Sequence, residues 1–367
     1  MLRTDSLKYH FLELIGICGE FPSEQLFRFF HSPSYAQKVI TELKNEKLIR
    51  THYNDSLRGY RLTKQGKSLL LNNNPERFHA YLTGNSETNR IRSEPVRRKR
   101  LHLLCETYMT LLHSDINIFP DTKPCLNSDD YSRQTHFPLF YSSKELKEIG
   151  SITTKFKNSR SMGILLTEYC IYVVYNTGNS VLKWEYRTEV RLNAFLQHYF
   201  KNQYYHGPPE IHAIMLGQDM NTSLRLMIST GGYKQSLFKL DNSFTHFHYL
   251  PNSTEGETVL KILSDPVLKQ NLDLLLLSDL KRKNMDLPLE HDACSLENLP
   301  VLLAYDFDMH RINRFNTGLN VYGVEGVLVC FDYQIPILKQ YVSTSAHFSS
   351  IDLVKFRKAF FNDPKMD

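Results

Sequence analysis

Between Pro33 and Leu62 the hydrophobic pattern changes its period from helical to alternating, and that switch most restricts what the first part of the chain can be. Tyr35, Val39, Ile40 and Leu43 recur at helical spacing and leave Gln37, Lys38, Thr41 and Lys44 on the opposite side. Ser34 is placed to cap this helix. From Arg50 to Leu62 the residues read as two short strands around an Asn54-Asp55-Ser56 turn, and Thr63 to Gly66 opens a further helix through Leu71. Upstream, Leu7, Phe11, Leu14 and Ile15 share a helical face, and Ser23 is placed to cap a short helix through Phe30.

The run Tyr60-Arg61-Leu62-Thr63-x-x-Gly66 resembles the wing-to-helix exit of winged-helix regulators. The resemblance implies a winged helix-turn-helix over residues 1–72 with double-stranded DNA as its partner, although some winged helices bind only protein. Ser34, Gln37, Lys38, Thr41 and Lys44 would then belong to the recognition helix, and Arg50, Arg58 and Arg61 to the wing.

Charge is distributed to match. The chain carries 44 Lys and Arg against 39 Asp and Glu, but its first 100 residues hold 18 of the former and 10 of the latter. Such a field attracts phosphate without specifying a sequence, and a membrane surface would feel it too. Arg90 to Arg100 packs six basic residues into eleven. Residues 73–100 therefore read as a polar linker whose Arg97, Arg98, Lys99 and Arg100 either track a phosphate backbone or form the solvated start of the helix that follows.

The rest, 101–367, alternates strand and helix and reads as a mixed α/β domain, with a further α/β extension after about 205 and no repeat of fixed period. A stretch rich in Asp, Asn and Ser, 115–143, reads as loop. Gly163–Leu166 and Cys170–Tyr175 form a hairpin pattern turning at Thr167-Glu168-Tyr169. Nothing matches a P-loop, a dinucleotide fingerprint or a G-x-S-x-G elbow, which disfavours nucleotide hydrolysis and serine chemistry. The six cysteines form no C-x-x-C pair and read as reduced core thiols. His246 and His248 share one side of a strand, and Glu290, His291, Asp292 and Cys294 cluster in sequence, but neither set has metal-site spacing. No metal, no cofactor and no catalytic residue is expected.

The order of winged helix, linker and α/β unit resembles the replication-relaxation family of plasmids and integrative elements, whose second domain is similar to restriction-endonuclease cores. The stretches that carry the likeness are Arg160-Ser161-Met162-Gly163-Ile164-Leu165 and Val173-Val174-Tyr175-Asn176-Thr177-Gly178. Met162, Tyr175 and Asn176 stand where that family places metal-binding carboxylates. Glu185 and Glu189 lie nearby on a helix face of salt-bridge type. The resemblance implies a DNA-binding protein of a mobile element with a non-catalytic endonuclease-like domain, acting in replication, transfer or their regulation. The alternatives are a metal-dependent nuclease or relaxation enzyme, and a protein-interaction module in a replication or conjugation complex. With no signal-peptide pattern and no apolar run near the ~20 residues a span needs, a cytoplasmic chain without a membrane partner is expected. Its oligomeric state is open.

Overall fold

The structure, a computed structural model, describes residues 3–126, 136–147, 149, 159–201, 205, 207–284 and 286–361. It is mixed α/β and divides into two units, the first comprising 1–113 and 117–125, the second 114–116 and 126–367.

The first unit is built around α1 (Leu7–Cys18), which is buried on almost every side from Phe11 to Cys18. Even Glu13 lies inside, held by Arg77 Nη1 at 2.6 Å. After β1 (Phe21–Pro22), Ser23–Gln25 forms a 3₁₀ turn that runs into α2 (Leu26–Phe30), with no side-chain cap from Ser23. Helix α3 (Pro33–Asn45) is capped by Ser32, not Ser34, because Pro33 takes the first helical position and pushes the start one residue earlier. Ala36 fills the core place expected of Tyr35, which is 40% exposed.

Strands β2 (Ile49–Asn54) and β3 (Leu57–Leu62) pair tightly, so that Asn54 sits opposite Leu57 in the ladder and only Asp55 and Ser56 make the turn. Both have positive φ, 49° and 61°, as a two-residue turn of mirror-image type requires. Strand β1 joins the other side of β3, giving the sheet order β1-β3-β2. Thr63 caps α4 (Lys64–Asn73). Any side chain at Gly66 would meet the Leu48 carbonyl oxygen at 2.2 Å, which explains the glycine. The stretch expected as linker is instead α5 (Pro75–Leu82), a short connection, and the first turns of α6 (Pro95–His113).

The second unit holds two five-stranded sheets. The first contains β4 (Leu139–Ser142), β5 (Gly163–Leu166), β6 (Cys170–Asn176), β7 (Glu210–Gly217) and β8 (Phe247–Pro251) in that order. Helix α7 (Ser143–Leu146) follows β4, α8 (Tyr186–Phe200) joins β6 to β7, and α9 (Met220–Met227) lies between β7 and β8. The sheet therefore continues past 205 without a break into an extension. The loop expected over 115–143 already contains β4, while 127–135 lie outside the described residues.

After α10 (Thr254–Ser264) and α11 (Pro266–Leu277) the second sheet follows: β9 (Lys281–Arg282), β10 (Ala293–Cys294), β11 (Pro300–Leu303), β12 (Gly326–Phe331) and β13 (Ala346–Ile351). Helices α12 (Met309–Tyr322), α13 (Ile335–Tyr341) and α14 (Leu353–Phe361) follow its last three strands. In both sheets the first two pairings are antiparallel and the last two parallel. The unit thus repeats one strand order. Ile164, Val173 and Met215 of the first sheet and Leu302 and Leu328 of the second belong to one apolar core. Cys18, Cys105, Cys294 and Cys330 are buried thiols as expected, whereas Cys125 is exposed and Cys170 half-buried.

Candidate nucleic-acid interface

Helix α3 separates its residues cleanly. Ala36, Val39, Ile40 and Leu43 face the core, while Ser34, Gln37, Lys38, Thr41 and Lys44 are all exposed. The Thr41 hydroxyl is turned back onto the Gln37 carbonyl at 2.8 Å, so what it offers outward is its acceptor side. Lys44 reaches over the Tyr60 ring of β3, 5.6 Å from its centre. Arg50 and Arg58 are exposed on the hairpin.

Arg61 is not part of that surface. It is 3% exposed and donates through Nε to Glu20 Oε2 at 2.7 Å. Arg98, expected in a basic arm, is fully buried beside it. Its Nη2 lies 2.6 Å from Glu20 Oε1, and its other donors reach the carbonyls of Asn54 at 2.9 Å and Leu57 at 3.0 Å. His102 of α6 adds a contact to Glu20 at 3.0 Å. Burial alone would raise the Glu20 carboxyl, but the hydrogen bonds from His102, Arg98 and Arg61 outweigh it and hold the group at about 2. Both arginines are therefore supports of the hairpin. Gly59 makes room for the Glu20 carboxylate that holds them, since a Cβ there would lie 2.3 Å from Glu20 Oε1.

The remaining basic residues of the expected arm are exposed on the first turns of α6. Arg97 pairs with Glu94 at 2.8 Å, Arg100 lies 3.9 Å from Glu87, and Lys99 is exposed. Arg98 ties their helix to the hairpin tip, and the Asn54 side chain adds a bond to the Ser93 carbonyl at 3.4 Å.

In the second unit, the positions singled out for lost carboxylates are occupied by neutral, satisfied groups. Met162 donates its backbone N–H to Val174 at the start of β5. Asn176, at the end of β6, accepts from Gly178 N–H at 3.0 Å and from the Asn252 side chain at 3.4 Å. Tyr175 is buried and bonds Glu189 at 2.5 Å. Glu189 is thus no rung of a surface ladder: it is 1% exposed, bonded also to Ser159 at 3.2 Å, and burial raises its carboxyl to about 7 despite those two bonds. Glu185 stays exposed just before α8.

Sequence spacing links His246 to His248 but misses three further members of their cluster. His212, from the neighbouring strand β7, brings its ring centre within 4.6 Å of His246. Asp308, from the segment after β11, bonds His246 Nδ1 at 2.5 Å, and the Asp306 carbonyl lies 3.2 Å from His248 Nδ1. Burial would lower His246, yet the bond and charge of Asp308 raise it; His212 is driven down to about 3 by burial and by the two neighbouring histidines. Only the fold brings residues this far apart together. Glu290 and Asp292 clamp Arg311, at 3.1 and 2.6 Å, and His291 is buried against the Leu289 carbonyl at 2.9 Å. Among the described residues no group of three or more His, Cys, Asp or Glu has the arrangement to hold a metal ion, and no helix is long and apolar enough to cross a membrane.

No family model, curated protein or solved structure matches the chain.

Proposed function

We propose that this chain binds double-stranded DNA through a winged helix in its first unit, with α3 as the recognition helix and the β2–β3 hairpin as the wing. The observation that carries the reading is the division of α3 into a buried apolar face and an exposed face bearing Ser34, Gln37, Lys38, Thr41 and Lys44. Three helices followed by a hairpin, in a sheet ordered β1-β3-β2, support it. Arg58 and the exposed Arg97, Lys99 and Arg100 add a sequence-independent attraction for phosphate.

On this reading the second unit is an endonuclease-like fold that binds without cutting, and the whole acts in replication or transfer of a mobile element, where further protein partners would dock. Neutral side chains at Met162, Tyr175 and Asn176 support a silent site, because a hydrolytic divalent ion is ordinarily anchored by carboxylates.

Gel retardation of duplex DNA over a salt series tests both parts. Binding should fall steeply with salt, and neutralising Arg97, Lys99 and Arg100 together should flatten the slope by roughly 0.9 for each DNA phosphate they neutralise in the wild type. Supercoiled plasmid should be retarded but not nicked with Mg²⁺ or Mn²⁺. Absence of retardation would overturn the DNA reading; metal-dependent nicking abolished by Glu189→Gln would establish an enzyme instead.

A further inference from the structure

The first unit contains a cavity of about 170 Å³ whose charge is one-sided. Arg50 of β2, Arg61 of β3, Lys67 of α4 and Arg90 of the connection before α6 line it, and among the described residues no Asp or Glu does. Ile15, Leu62, Leu82 and Ile91 supply its apolar lining.

The cations are incompletely satisfied. Lys67 Nζ donates to the carbonyl and the side-chain oxygen of Asn89, at 2.8 and 2.7 Å, both neutral acceptors that leave its charge unmatched. Arg61, almost wholly buried, gives Glu20 a hydrogen bond from Nε, while its Nη2 touches the same oxygen at 2.7 Å without hydrogen-bonding geometry and finds no other acceptor. Glu20 is already shared with Arg98 and His102. Burial and the charge of Arg50 lower the Lys67 ammonium, and burial followed by Arg61, Arg98 and Arg50 lowers His52 nearby. Positive potential is left over here.

We propose that this cavity is a binding site for a small phosphate-bearing ligand, inorganic phosphate or a compact phosphate monoester. Guanidinium and ammonium donors around one space suit a dianionic group with several acceptor oxygens. The volume lies below the roughly 300–1,000 Å³ of pockets for drug-sized ligands and suits a phosphate group with at most a few carbon atoms held inside. Ile15 and Leu82 are placed for those carbon atoms. A bound phosphate would tie the hairpin, through Arg50 and Arg61, to α4 and the segment carrying Arg90. The site goes beyond the DNA-binding reading and does not depend on it.

The test uses the full chain, with inorganic phosphate and glycerol 3-phosphate as probes and chloride at matched ionic strength as control, read by calorimetric titration and thermal shift. Saturable binding is expected to raise the melting temperature, and Lys67→Met and Arg90→Ala should each weaken it about tenfold or more, the loss of one charged hydrogen bond. Lys67→Met keeps an unbranched stem of similar reach, and an unchanged circular dichroism spectrum checks the fold. Tighter binding of glycerol 3-phosphate identifies a monoester site; tighter inorganic phosphate identifies a free-ion site. No saturable response to either probe, or one untouched by both substitutions, overturns the proposal. So does a result in which duplex DNA displaces phosphate while both variants lose DNA affinity in step, since the cavity would then be a backbone contact.

Discussion

Glu20 of the first unit and Glu189 of the second are the same side chain almost without solvent exposure, 0% and 1%, yet one is held at about 2 and the other at about 7. Surface exposure is therefore not what decides: burial raises both groups, and their partners differ. Glu20 has two guanidinium groups and a histidine within 3.0 Å and remains a carboxylate. Glu189 has only hydroxyls, from Tyr175 and Ser159, and the charges of Asp241 and Glu185 oppose its ionisation. One buried acid organises cations around a hairpin; the other sits in a core that prefers it neutral.

The largest expected effect breaks the first arrangement. Glu20→Ala leaves Arg61 and Arg98 as buried cations without a counter-charge and should cost the first unit about 3–5 kcal/mol, read by urea unfolding monitored through amide exchange in α1. Trp184, the only tryptophan and buried in the second unit, should keep its fluorescence transition. A loss below ~1 kcal/mol would show that the network contributes little.

Acidity should then separate the two carboxyls in opposite senses. Relative to the ordinary value of 4.5, native Glu20 binds fewer protons than the unfolded chain, so its stabilisation is complete above pH 4.5 and is lost as the pH falls towards 2. Native Glu189 binds more, so its contribution is complete below pH 4.5 and is lost as the pH rises through 7. At ~1.4 kcal/mol per pH unit each amounts to about 3 kcal/mol. Because His212 titrates in the same unit and acts equally on both proteins, the Trp184 transition is followed from pH 4 to 8 in the wild type and in Glu189→Gln: the stability of the wild type relative to the variant should fall with pH, and a difference that rises would reverse the assignment.

A smaller effect comes from crowding Glu20 rather than removing it. Gly59→Ala drives a methyl onto the carboxylate and should cost about 1–3 kcal/mol, measured in the same exchange experiment. Smallest is the contrast between buried and exposed cations. Lys38→Ala should leave stability unchanged and weaken duplex binding by about 1 kcal/mol, whereas a variant that binds as tightly as the wild type at both low and high salt would remove Lys38 from the interface.

The elements of the first unit are legible in the sequence because period and turn chemistry act locally: the division of α3 and the hairpin around Asp55 can be read from neighbours in the chain. Arg61 and Arg98 mislead for the opposite reason. A buried arginine and an exposed one look alike in sequence, and the partner that buries both is Glu20, 41 and 78 residues away. Glu189 reads as surface because charged residues stand close to it on its helix, while Tyr175, which encloses it, belongs to a strand. The repeated sheet leaves only a faint trace, Arg191-Leu192-Asn193-x-Phe195 in α8 and Arg311-Ile312-Asn313-x-Phe315 in α12. Unequal connections hide any fixed period.

A chain that carries one strand order twice must also avoid pairing the halves wrongly as it folds, the characteristic hazard of repeated architecture. The second sheet is protected by its proportions. Strands β9 and β10 have two residues each, against four in β4 and β5, so an exchanged partner would leave half of each longer strand without its ladder bonds. Pro300, at the head of β11, removes one more donor from any extended mispairing. The shortness of those two strands thus serves the route to the native state as well as the state itself, by making the wrong sheet visibly incomplete to the chain that tries it.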